Sequence, residues 1–136
     1  MKKILTFIIC IVLVSCKTVQ KNDSELKQIK LEDVFVVNTS KYIVLFYSSS
    51  CEACTLTLEV LNKRMGKEKY EGFCVNLSNE YINFSFEKEE NLNKNKHEEI
   101  VFSSVPYLVY IDKKIIVKEV YGYNNIQKEN LYIFFE

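Results

Sequence analysis

Two cysteines three positions apart, Cys51 and Cys54, are the residues of this chain best suited to chemistry. A Cys-x-x-Cys pair can close to a disulfide, open to a dithiol, and so exchange two electrons with another thiol pair. The same pair is also half of a tetrahedral metal site, with His97, the single histidine, as a further ligand. A second ligand pair at metal spacing is missing, and His97 sits between Lys96 and Glu98, a surface setting. No metal is therefore expected. Cys74 lies within the apolar run Phe73-Cys74-Val75 and reads as a buried, inert thiol. Without a Gly-rich phosphate loop, no organic cofactor is expected either.

The pair needs elements to hold it, and the flanking residues supply them. Tyr42 to Tyr47 is an unbroken run of six apolar or aromatic residues, the pattern of a strand buried on both faces. Three serines stop the run. After them Cys54, Leu58, Leu61 and Met65 fall on one helical stripe, and Gly66 is a suitable helix end. Cys51 is thus placed at a strand-to-helix junction, where free N–H groups and the helix dipole favour an anion. Its thiol is expected to be more acidic than an ordinary one, and Cys54, one turn on, to act as the resolving partner. Ser49 with Glu52 matches a capping box, although Ser50 would also serve as N-cap. Glu52 suits the dipole but opposes a neighbouring thiolate.

Along the rest of the chain, Ile29 to Val37 fits either a short strand or a helix, and Asn38 to Lys41 a turn. Phe73 to Leu77 is a second strand. Ser78 to Lys96 is polar and charged, and reads as a surface loop leading into a helix from about Glu87 to Val101 or Phe102. Tyr107 to Ile111 is a third buried strand. Asp112 to Lys114 is a turn, and Ile115 to Tyr121 a fourth strand, antiparallel because the connection is short. Gly122 ends it, and Asn124 or Asn125 can cap a last helix from Ile126 to Phe135.

The start of the chain is of a different kind. Met1-Lys2-Lys3 is basic and Ile4 to Val14 apolar, eleven residues against the roughly 20 that a membrane span needs. That is the form of a secretory signal. Leu13-Val14-Ser15-Cys16 resembles a bacterial lipobox, which implies cleavage before Cys16 and lipid on its sulfur. An ordinary signal peptide or an uncleaved anchor is the other reading. The expected organisation is a signal segment over 1–15, a lipidated Cys16 and polar tether over 16–28, and one domain over 29–136. Removing Lys2 and Lys3 leaves 16 basic residues against 18 acidic ones, so neither a nucleic acid nor an acidic substrate is suggested. The location implied is extracytoplasmic and membrane-anchored, where disulfides persist.

The order strand, Cys-x-x-Cys helix, strand, helix, Val-Pro, strand, turn, strand, helix resembles the thioredoxin family. The motifs that carry the likeness are Phe46 to Cys54 and Ser104-Val105-Pro106-Tyr107. The resemblance implies an α/β fold with a central mixed sheet flanked by helices. It also implies that Pro106, the only proline, is cis beside the active disulfide, and that the Val105 backbone pairs with an extended substrate. This chain lacks tryptophan, and Leu45 stands where thioredoxins carry a buried aspartate six residues before the first cysteine. The function implied is a membrane-tethered thiol–disulfide oxidoreductase acting on exported proteins and served by a redox partner protein, its direction open. The alternative is a non-catalytic binding or assembly module on the same fold, with a structural Cys51–Cys54 bridge.

Overall fold

The computed structural model describes residues 25–68 and 70–136; the expected signal segment, Cys16 and most of the tether lie outside the described residues. The first strand, β1, is Lys27–Gln28, followed by a 3-10 turn at Leu31–Asp33. Strand β2 spans Lys41–Tyr47, as the apolar run predicts. Helix α1 spans Glu52–Glu68, starting where the helical stripe predicts but running through Gly66, the helix end expected from the sequence. Next come β3 (Gly72–Asn76), β4 (Asn83–Phe84), β5 (Val101–Phe102), β6 (Tyr107–Asp112) and β7 (Ile115–Tyr121). Two short helices, α2 (Tyr123–Lys128) and α3 (Leu131–Phe135), finish the chain. No helix among the described residues is long and apolar enough to cross a membrane.

Five strands form one mixed sheet in the order β1-β3-β2-β6-β7. β2 is central, parallel to β3 and antiparallel to β6, which explains why its residues are apolar without alternation. Successive side chains point to opposite faces, so the run divides between two cores. Tyr42, Val44 and Phe46 enter one with Leu31, Val34, Ile100 and Phe102. Ile43 and Leu45 enter the other with Leu61 and Met65 of α1, Ile126 of α2 and Leu131 of α3. The β6–β7 hairpin turns at Lys113 and Lys114, both at positive φ, as a two-residue hairpin loop demands.

Further expectations are corrected. The stretch from Glu87 to Phe102 is not a helix: it runs as bends, a 3-10 turn at His97–Glu99 and β5, which pairs in parallel with β4 as a second small sheet. Asparagines here bind backbone groups that a helix would need: buried Asn91 holds both the N–H and the C=O of Val101, each at 2.8 Å. Asn93 has φ 65°, and its N–H donates to the Ile116 carbonyl on the edge of β7. The last helix is broken rather than continuous. Glu129 is extended, Asn130 caps α3 through the Tyr132 N–H, and the Arg64 guanidinium collects the carbonyls of Ile126, Gln127 and Glu129. α2 also starts earlier than expected, behind Gly122 at φ 82° rather than behind an asparagine. At the other end, Lys27 and Gln28, assigned to the tether, form the sheet edge against Phe73 and Cys74. Ile29 to Val37, left open between strand and helix, contains only the 3-10 turn.

Candidate active site

β2 delivers the chain to Tyr47 at one end of the sheet, and Ser48 to Ser50 turn it into α1. The Cys51 N–H donates to the Ser48 carbonyl at 3.2 Å, and the Cys51 carbonyl accepts from Cys54 and Thr55, both at 3.2 Å. Cys51 therefore holds the N-cap position of a 17-residue helix. Cys51 and Cys54 are joined as a disulfide with Cα atoms 5.2 Å apart. Cys51 is half-buried and Cys54 fully buried, so one sulfur is approachable and the other is not. The Cys54 N–H also points at Cys51 Sγ, 3.1 Å away. That N–H and the helix N-terminus face the sulfur that carries charge whenever the disulfide opens with Cys51 as the anion.

The expected capping box is absent, because the serines bond elsewhere. Ser49 Oγ lies 3.0 Å from Ser78 Oγ, and its N–H donates to the same oxygen at 3.2 Å. Ser48 Oγ lies 3.2 Å from both Ser50 Oγ and Ser78 Oγ. Ser78, just past β3, thus ties down the turn that carries Cys51, while Cys51 caps the helix. Nothing local to residues 48–52 signalled this, since the partner comes from 30 positions away.

Val105–Pro106 is cis. The next residue, Tyr107, pairs with Phe46, so the proline stands at the same sheet end as the turn before Cys51. The Pro106 carbonyl accepts from the Gly122 N–H at 2.9 Å. Asn91 fixes the approach to this proline from below: beyond its Val101 bonds, its Nδ2 donates to the Tyr107 hydroxyl at 2.9 Å. Tyr107 in turn donates to Glu119 Oε2, at 2.9 Å, which also accepts from the Asn91 N–H. Burial foremost, with the phenol of Tyr121 and the carboxylate of Glu119 beside it, pushes the Tyr107 phenol far up.

Leu45 is fully buried and registers with Cys74 on β3. Cys74 is a buried free thiol, pushed up to about 11 by burial, which fits the inert role expected of it. His97 is not gathered to the cysteines. It occupies the 3-10 turn before β5, 3.5 Å from the Glu98 carboxylate, and lines a separate hollow with Leu31, Tyr81 and Ile100. Among the described residues no cluster of three His, Cys, Asp or Glu side chains is placed to hold a metal.

A further feature lies between the turn before Cys51 and the residue before Pro106. Ser48 and Val105 are walls of an apolar hollow of about 210 Å³, closed by Leu77, Ile82, Phe84 and Phe102. Its signal was present: Ile82, Phe84 and Phe86 alternate with Asn83, Ser85 and Glu87, a strand pattern inside a charged stretch.

Among solved structures, the chain is similar to thioredoxin f from spinach chloroplast in its short form, with TM-score 0.54 and 13% identity over 74% of this chain and 83% of that one. A mutant thioredoxin from Halobacterium salinarum NRC-1 gives TM-score 0.51 and 15% identity over 76% of this chain and 83% of its own. No protein-family model matches the sequence, and no curated protein does. The fold is the thioredoxin fold, with its mixed sheet and flanking helices.

Proposed function

We propose that this thioredoxin-fold chain is a thiol–disulfide oxidoreductase working outside the cytoplasm, tethered to a membrane by lipid on Cys16. Its substrates are exported proteins bearing thiols or disulfides, and a second redox protein resets it. The observation that carries the redox reading is the Cys51–Cys54 disulfide at the N-terminus of α1, one sulfur approachable and the other enclosed. The lipobox-like Leu13-Val14-Ser15-Cys16 behind a short apolar run supports the tether.

From the oxidised pair, a substrate thiolate attacks Cys51 Sγ. The Cys51–Cys54 bond breaks, a substrate–Cys51 disulfide forms, and Cys54 leaves as a thiolate. A second substrate thiolate then attacks the substrate's own sulfur in that bond, and Cys51 leaves in turn. The substrate loses two electrons, the pair gains two, and two protons pass from the substrate thiols to the pair. Reversed, the same steps reduce a substrate disulfide. The Cys54 N–H stabilises Cys51 as the anion. Val105, just ahead of cis Pro106, offers its backbone to an extended substrate segment. Leu45, fully buried, stands where thioredoxins carry a carboxylic acid, so protons reach Cys54 from water or another group.

The test is a redox equilibrium titration of the full chain, read by alkylation and mass at Cys51 and Cys54. A reversible midpoint near −270 mV defines a reductant of other proteins, and one near −120 mV an oxidant. Cys51→Ser should abolish exchange and Cys54→Ser should accumulate mixed disulfides. A pair that stays locked across this range would instead support a binding module with a structural bridge, the reading that the apolar Leu45 favours.

A further inference from the structure

The hollow between Ser48 and Val105 has a lining and surroundings that select what enters it. Two of its walls belong to the site itself: Ser48 is three residues before Cys51, and Val105 precedes the cis proline. Leu77, Ile82, Phe84 and Phe102 make the rest of the lining mainly apolar, with Ser78 and Ser104 as its polar members. Phe84 is 54% exposed and Phe86 96%, the two rings meeting edge-on at 5.1 Å, and Tyr81 is fully exposed as well. Two solvated rings in contact, Phe84 on the hollow and Phe86 against it, mark a contact surface rather than scattered apolar surface, while Tyr81 lines the separate hollow with His97. A cavity of about 150 Å³ accommodates a benzene ring, so this hollow has room for an aromatic or branched aliphatic side chain.

The charges alongside decide between a protein and a lipid surface. Exposed Glu87, Glu89 and Glu90 follow the aromatic segment directly, and exposed Glu52 follows Cys51. The one cation within that run, Lys88, lies over the Tyr121 ring at 4.9 Å. An exposed acidic stretch three to six residues beyond Phe84 repels an anionic bilayer and attracts lysine and arginine. Building on the oxidoreductase reading, we infer that this hollow binds a large apolar side chain flanked by basic residues, next to the reacting cysteine of a substrate polypeptide. The apolar side chain seats between Phe84 and Val105, and the neighbouring substrate sulfur meets Cys51 Sγ. Electron and proton flow are those of the exchange described above.

Two synthetic dithiol peptides of equal length test this, one with Phe beside its first cysteine and Lys on either flank, the other with Ser in place of the Phe. Each is mixed with the oxidised full chain, and the rate at which the peptide closes to its own disulfide is measured. The Phe peptide should react about tenfold faster, from partial burial of one aromatic ring. Replacing its lysines by Glu should slow it several-fold, an effect that added salt removes. Phe84→Ser should bring the Phe-to-Ser ratio near one, whereas Ile133→Ser, an exposed change on α3, should leave the ratio intact. Equal rates on the unmodified chain, or a ratio that survives Phe84→Ser, would overturn the inference. So would vesicles of phosphatidylglycerol that bind the chain through Phe84. Dithiothreitol separates the two levels: if it fails to open the Cys51–Cys54 bond, the oxidoreductase reading fails and this one with it. If it opens the bond and the peptides react alike, only the substrate preference is wrong.

Discussion

Asn91→Ala should destabilise the protein far more than an ordinary polar-to-alanine change. The side chain is completely buried, and Oδ1 accepts from the Val101 N–H while Nδ2 donates to the Val101 carbonyl. Truncation leaves both Val101 groups without those partners. An unmade buried hydrogen bond costs about 1–3 kcal/mol, and Val101 is half-buried, so the lower half of that range applies to each. The total is about 3 kcal/mol. With a urea slope of about 1.5 kcal/mol/M, the unfolding midpoint should fall by about 2 M. Tyr107→Phe removes another member of the same network, since its hydroxyl meets Asn91 Nδ2 and Glu119. The double variant should therefore be less destabilised than the two singles added together, by about 1 kcal/mol. Urea unfolding followed by near-ultraviolet dichroism is the suitable assay, because Tyr107 stacks on Tyr121 at 4.2 Å and on Phe46 at 5.5 Å. A midpoint shift under about 0.5 M, or strict additivity, would refute the view that Asn91 holds β5 and the approach to Pro106 in place.

Alkaline pH should expose the burial of Cys74. Its thiol titrates at about 11 in the folded chain against 9.0 in the open. Between those values the unfolded chain gives up the proton and the folded chain keeps it, so stability is complete below about pH 9 and falls as pH rises toward 11. The loss is at most about 2–3 kcal/mol, and Cys74→Ala should show a shallower fall in urea midpoint over that window; an unchanged slope would contradict it. Gly72→Ala should cost about 1–2 kcal/mol, because a Cβ there would stand 2.5 Å from Leu26 Cδ2 and 2.7 Å from Met65 Cε. Both are the movable ends of side chains, so thermal unfolding should report a lower midpoint and an intact fold; a variant that does not fold would mean that these contacts cannot yield.

The parts of the fold that could be read directly are those where side-chain pattern and burial coincide. Tyr42 to Tyr47 is apolar throughout because β2 is covered on both faces, and Cys54, Leu61 and Met65 share a stripe because α1 covers one of them. The serine stop before Cys51, the Val-Pro step and the Asp112–Lys114 turn carried their own local signals. Residues 78–102 carried one such signal, the alternation from Ile82 to Glu87, but the order of the rest comes from long-range partners. Asn91 looks like any loop asparagine until Val101, Tyr107 and Glu119 surround it. Lys27 and Gln28 were missed for a related reason: an edge strand can pair through its backbone alone, and both side chains are exposed. At the site, the cysteines and the proline were visible as motifs. Ser78 and Phe84 were not, since each matters only for what the fold sets beside it.

β1 runs parallel to β3, and β3 to β2, so the described chain enters the sheet beside Phe73 and travels toward the end where Tyr47 hands over to the cysteines. Lys27 is level with Phe73 and Phe73 with Val44, so three residues of β2, about 10 Å, separate the level of entry from Tyr47, and the chain runs toward that end. A support attached on the N-terminal side therefore leaves the reactive pole pointing outward.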